Sequence, residues 1–114
     1  MRVDENKIRN PQADMLMKAV LTLETEDDAY RFFEDVCTIA EIKSMAQRLE
    51  VAALLRAGWH YQEIARRTGA STATISRVNR CLTYGADGYT RVLRVLAERG
   101  ALPDDEETPS GRKG

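Results

Sequence analysis

Between His60 and Leu82 the chain reads HYQEIARRTGASTATISRVNRCL, and the sizes of these residues leave few ways to fold the stretch. Two short helices pack at roughly 90 to 120° only if their backbones come close and the turn between them is tight. On a first helix beginning at Tyr61, Ile64 and Ala65 point inward, and the small Ala65 lets a second helix approach. Gly69 falls in the turn, where a positive φ costs glycine little. Ser71 stands where an N-cap is needed, its hydroxyl able to accept from an otherwise unpaired backbone N–H one turn on. Ile75, Val78 and Leu82 continue the apolar face at helical spacing. The stretch therefore predicts a helix-turn-helix. An ordinary helical hairpin with a polar face does not require alanine, glycine, a capping serine and apolar residues at all these positions together.

Thr72, Ala73, Ser76, Arg77 and Arg80 are left facing outward, with no acid among them. Small polar groups at the start of a helix, with arginines one and two turns later, suit a helix whose N-terminal end enters the major groove of duplex DNA while its flank meets phosphate. With Gln62, Arg66 and Arg67 of the first helix, and Ser71 and Thr74 at the start of the second, these residues are the candidate DNA-binding set. Arg66 and Arg67 also suit the negative end of the first helix's dipole.

The formal net charge of −1 argues against a nucleic-acid partner until it is divided along the chain. Residues 1–42 carry five basic and ten acidic side chains, a net of −5. Residues 43–100 carry ten and four, a net of +6, and residues 101–114 carry two and four, a net of −2. Near-neutrality thus conceals a basic segment that contains the predicted reader, an asymmetry that points to nucleic acid and to salt-dependent affinity.

Other functions find little support. Cys37, Cys81 and the single His60 make no metal-ligand spacing, so no zinc site is expected. The run Glu26, Asp27, Asp28 reads as capping charge in a first helical turn, because a hard-ion site needs ligands converging from several directions. His60 has no serine, cysteine or acid placed to work with it. With no nucleophile and base, phosphate-binding glycine loop or metal cluster, the expectation is a protein that is not an enzyme and needs no cofactor. The absence of a signal peptide and of an apolar run of about eighteen residues predicts a cytoplasmic protein with reduced thiols.

In chain order, residues 1–10 read as a flexible polar lead-in, and a first helix begins near Pro11 with Met15, Leu16, Ala19, Val20 and Leu23 as one buried stripe. Lacking a basic polar face, that helix is expected to pack in a core or a dimer rather than lie on a membrane. Thr25 caps a second helix with Ala29, Phe32, Phe33 and Val36 inward and Tyr30 at its edge. Thr38 and Glu41 form a capping box for the longest helix, which runs to about Arg56. Ile39, Ile42, Met45, Ala46, Leu49, Ala52, Ala53 and Leu55 make it apolar over an arc that more than one neighbour must cover, as in a strut shared with a second subunit. Trp59 anchors the next corner, and His60 with Glu63 has the spacing of a further capping box, although histidine is a poor cap. After a turn over Tyr84–Gly88, a last helix from about Tyr89 to Glu98 puts Val92, Leu93, Val95 and Leu96 inward and Arg91, Arg94 and Arg99 outward, ending at Gly100. Residues 101–114 have no apolar periodicity and are expected to form a disordered acidic tail, which leaves residues 11–100 as the folded domain.

A helical N-terminal region, a long capped helix, a helix-turn-helix and a closing helix together resemble the Trp-repressor-like superfamily. The segment ASTATISRVNRCLTYGADGY is similar in particular to its YerC/YecD group. The likeness covers most of residues 12–100 in layout and is specific from about Met45 to Tyr89. It implies an all-α, Trp-repressor-like helical bundle: an intertwined homodimer that holds two readers about one DNA turn apart and regulates transcription from a palindromic double-stranded site. In the tryptophan repressor the corepressor lies between an arginine late on the long helix and one on the recognition helix. Arg77 matches the second; at the first this chain has Leu49 or Glu50, and the glycine after the second is Val78. A tryptophan corepressor is therefore not expected. The alternative to a DNA reader is a protein-interaction module, with the helix-turn-helix as scaffold and the acidic N-terminal half as docking surface.

Overall fold

A computed structural model describes residues 7–102, and every structural statement below concerns them. They form six helices and no strand: α1 (Pro11–Val20), α2 (Glu26–Val36), α3 (Ile39–Arg56), α4 (Tyr61–Thr68), α5 (Thr72–Tyr84) and α6 (Gly88–Glu98). The chain divides into two compact units, one ending at Ile42 and the other starting at Lys43. The second unit begins where the charge changes sign. Residues 1–6 and 103–114, most of the expected lead-in and tail, lie outside the described residues.

In the first unit the helix ends follow from local chemistry. Asn10 caps α1, its side-chain oxygen accepting from Ala13 N–H at 2.8 Å, and Pro11 takes a first-turn position where its missing N–H costs nothing. Thr25 caps α2, its hydroxyl accepting from Asp28 N–H at 3.0 Å, with Glu26, Asp27 and Asp28 at the positive end of the dipole. Phe32 and Phe33 meet edge to face, 5.3 Å between centroids.

Neither α1 nor α2 has a buried residue within the single chain, so the expected stripe on α1 is not covered by a core of its own unit. Met15 is 71% exposed, and Leu16 is exposed as well. Leu23 lies beyond the end of the helix. Val36 of α2 is also exposed. Helical periodicity located an apolar face but could not say whether the same chain covers it.

The predicted box at the start of α3 is reciprocal: Thr38 N–H donates to Glu41 Oε1 at 2.8 Å, and Glu41 N–H donates to Thr38 Oγ1 at 3.1 Å. The core of the second unit is built from Val51, Ala52, Ala53 and Leu54 of α3, Trp59 of the corner, Ile64 of α4, Ala70 of the turn, Ile75 and Val78 of α5, and Leu93 of α6. Val51, Ile64, Ile75 and Leu93 are fully buried. Each such side chain stabilises the fold by about 1.5–3 kcal/mol relative to exposure.

Two expected sets differ from this core. On α3, Ile39, Met45, Ala46 and Leu49 are exposed, while Val51 and Leu54, outside the expected set, are buried. On α6, Leu93 and Leu96 face the core, but Val92 is 50% exposed and Val95 is exposed too. The helix is only eleven residues long and meets the core along a narrow line.

The link between α5 and α6 is tighter than the sequence suggests. α5 continues through Tyr84, so the helical part of the motif extends past Leu82. A Cβ on Gly85 would collide with the backbone carbonyl oxygen of Cys81, so glycine is required by close approach. Asp87, at φ 72°, is the described non-glycine residue in the left-handed region, and its carboxylate reaches Arg91 at 3.2 Å.

Candidate nucleic-acid interface

The motif is built as its residue types require. Ile64 anchors α4 from beneath, with Ala65 and Tyr61 packed against the same core. Gly69 ends α4 at φ 77°, its N–H donating to the Ala65 carbonyl at 2.9 Å. Ala70 is buried in the turn. Ser71 starts α5, its hydroxyl oxygen accepting from Thr74 N–H at 3.1 Å. The expected box at the start of α4 does not form. His60 occupies the cap position without a side-chain hydrogen bond, and Glu63 instead pairs with Arg66 at 2.7 Å. Histidine is not among the favoured caps, and Glu63 is held by the cation three residues on.

With Ile75 and Val78 buried, Thr72, Ala73, Ser76, Arg77 and Arg80 stand together on the solvent side of α5. Arg77 and Arg80 form no ion pair with a described carboxylate, so their guanidinium groups remain available to an anion. Ser71 and Thr74 lie at the start of this face but are partly committed. Ser71 Oγ both caps the helix and donates to Thr74 Oγ1 at 3.1 Å, and Thr74 is half-buried.

The α4 residues separate into two groups. Gln62 and Arg66 are exposed, Arg66 through a surface pair that solvent weakens. Arg67 also reaches solvent, but its side chain is engaged by the fold. Its guanidinium carbon sits 5.6 Å from the centroid of the Trp59 ring, and its Nε lies 3.7 Å from Glu50 Oε2. The sequence shows adjacent arginines but not that one of them packs against the corner tryptophan.

A further contact had no signal in the sequence. Gln47 Nε2, on α3, donates to the carbonyl of Thr68 at 3.2 Å, satisfying an acceptor at the end of α4. Thr68 Oγ1 donates to the Ile64 carbonyl at 2.7 Å and accepts from Ala70 N–H at 3.1 Å. The turn is thus tied both to its own helix and to α3.

The family model described as Trp repressor protein matches residues 11–97, which span α1 to most of α6. The chain belongs to the Trp repressor family. This family member is 54% identical over 98 residues to the uncharacterized protein YerC of Bacillus subtilis (strain 168), a match covering 86% of this chain and 92% of YerC. Among solved structures it is similar to a TrpR like protein from Eubacterium eligens ATCC 27750, with a TM-score of 0.77 and 54% identity over 87% of this chain and 99% of that one. A crystal structure from Staphylococcus aureus, described as that of a candidate Trp repressor, matches with a TM-score of 0.76 and 42% identity over 91% of this chain and 99% of that one.

Within this Trp repressor family member, the positions compared with the corepressor site lie in different surroundings. Leu49 lines an open apolar groove of about 460 Å³ with Cys81, Ala86, Gly88, Tyr89 and Val92, none of them charged. Glu50 faces Arg67. Val78 is packed into the core. No helix among the described residues is long and apolar enough to cross a membrane, and no described group of histidine, cysteine and carboxylate residues has the arrangement of a metal site.

Proposed function

We propose that this chain is a sequence-specific DNA-binding transcriptional regulator that acts, without catalysis, as a homodimer on a palindromic duplex site. The observation that carries the reading is the solvent face of α5, where small side chains at the helix start are followed by two arginines without a carboxylate partner among the described residues. The helix-turn-helix over residues 60–82 is the reading unit, within a folded domain of residues 11–100. Thr72, Ala73 and Ser76 are short enough to let the start of α5 approach base edges, while Arg77 and Arg80 reach base or phosphate. Ser71 and Thr74 position the helix start, and Gln62 and Arg66 supply backbone contacts from α4. Arg67, on this reading, contributes mainly through its position at the corner.

The homodimer rests on the first unit. Its helices bury no side chain within the chain, yet α1 and its flank expose Met15, Met17 and Leu21, the last 83% exposed. A second copy covering these residues removes a large apolar area from water, and two-fold symmetry then makes a palindromic site the natural target.

Selection from a pool of random duplexes tests the reading. The expected result is enrichment of a two-fold motif with half-sites about one helical turn apart. Failure to enrich any motif rejects DNA reading in favour of the protein-interaction module.

No tryptophan corepressor operates in this proposal. The groove beside Leu49 has no charged lining residue to meet an amino-acid carboxylate, and the Glu50 carboxylate is of the wrong sign. Isothermal titration of the protein with tryptophan is expected to show no saturable heat at micromolar concentrations, and a micromolar isotherm would overturn this.

A further inference from the structure

The reader's direction is set where α4 ends, because Ser71, the first residue committed to α5, follows Thr68 by only three positions. α4 is two turns long and has Ile64 as its buried residue. Ile64, with Tyr61 and Ala65 packed against the same core, fixes where the helix lies, but none of them reaches its end at Thr68. Something else must hold its C-terminal end.

That end is held by α3. Gln47 and Glu50 are three residues apart, and therefore neighbours on one helix face. They act on consecutive residues of α4: Glu50 Oε2 lies 3.7 Å from Arg67 Nε, and Gln47 Nε2 donates to the Thr68 carbonyl at 3.2 Å. The Arg67 guanidinium carbon also lies 5.6 Å from the centroid of the Trp59 ring, which is buried at the corner between α3 and α4. Glu50 and Arg67 are both partly shielded from solvent, with side chains 38% and 34% exposed, unlike the open Arg66 pair.

Resting on the DNA-reading proposal above, we infer that Gln47 and Glu50 are positioning residues for the reader. They belong to the helix before the motif, touch α4 rather than α5, and fix the point and direction from which α5 departs. Holding the reader in one orientation before DNA arrives removes an ordering cost from the complex.

The test compares Gln47→Met and Glu50→Gln with the wild type. Each is measured on a duplex recovered from random-site selection and on a scrambled duplex of equal length, over a salt series. Methionine keeps the length of glutamine and removes the donor; glutamine keeps the shape of glutamate and removes the charge. Positioning predicts that the specific affinity falls about tenfold in each variant, the equivalent of about 1.4 kcal/mol. In Gln47→Met the affinity for the scrambled duplex and the slope of affinity against salt stay unchanged, because no phosphate contact is lost; in Glu50→Gln the lost charge acts on both duplexes alike, so the tenfold fall is read in the ratio of specific to scrambled affinity. A variant of merely lower stability would show the same affinity ratio below its melting temperature.

The sign for Glu50→Gln is decisive. Removing a negative charge from the basic unit, with no positioning effect, tightens binding to both duplexes. That result, or an unchanged ratio of specific to scrambled affinity in both variants, overturns the inference while leaving DNA reading intact. Failure of the wild type to prefer any selected duplex overturns both. Amide hydrogen exchange at Ala70 without DNA supplies a separate readout, expected to accelerate in Gln47→Met as the turn loses its tie to α3.

Discussion

Replacing Arg77 and Arg80 together by alanine is expected to abolish preference for the selected operator while leaving the fold intact. Both side chains are exposed and without a carboxylate partner among the described residues, so their removal uncovers no buried group. Changes at such positions usually alter stability by no more than about 0.5 kcal/mol. Their effect on binding is far larger. A guanidinium bidentate to a guanine edge contributes about 1–3 kcal/mol of discrimination, roughly fivefold to 150-fold for each residue. A guanidinium on phosphate weakens all duplexes alike and flattens the salt dependence by about one unit of slope when removed. Fluorescence anisotropy with the operator and a scrambled duplex, repeated over a range of salt, separates the two roles. The assigned reading face is wrong if the double variant binds the operator as the wild type does at the same salt.

Ile64→Ala should have the largest effect on stability. Ile64 is completely buried, is the buried residue of α4, and lies in the cluster with Trp59, Ile75 and Leu93. Truncation of a buried isoleucine costs about 2–5 kcal/mol, the sum of lost transfer energy and the cavity left behind. A single domain has about 5–15 kcal/mol in total, so the loss is a substantial fraction. The upper half of the range is expected because α4 has no second buried side chain to move into the space. Urea denaturation followed by circular dichroism checks this: the midpoint should fall sharply, whereas Ser76→Ala, on the exposed face, should leave it almost unmoved. A midpoint for Ile64→Ala equal to that of the wild type would contradict the core described here.

The two variants are complementary. One tests the proposed reading face without touching the core, and the other tests the core on which α4 rests.

Much of this molecule was legible in the residues because the chemistry involved is local. Thr25, Thr38 and Ser71 cap the helices they precede because a short hydroxyl side chain can reach only the N–H groups of the next turn. Gly69 takes a positive φ at the turn, as its place between the two helices demands. His60 shows where local spacing misleads: the distance to Glu63 is that of a capping box, but the side chain at the cap cannot make the bond. Arg67 shows another limit, since nothing in an Arg-Arg pair distinguishes the residue that faces solvent from the one that lies over Trp59.

The sequence by itself determined the six-helix order and the caps that open α2, α3 and α5, since these depend on residues no more than about one turn apart. Only the tertiary structure decided that Gln47 reaches Thr68, twenty-one residues away, and that Glu50 faces Arg67. It also decided that Val51 and Leu54 enter the core while Met45 and Leu49 remain exposed. Periodicity gives the direction in which an apolar side chain points around its own helix axis. Whether anything stands in that direction depends on how distant segments are brought together, and that information resides in the packing.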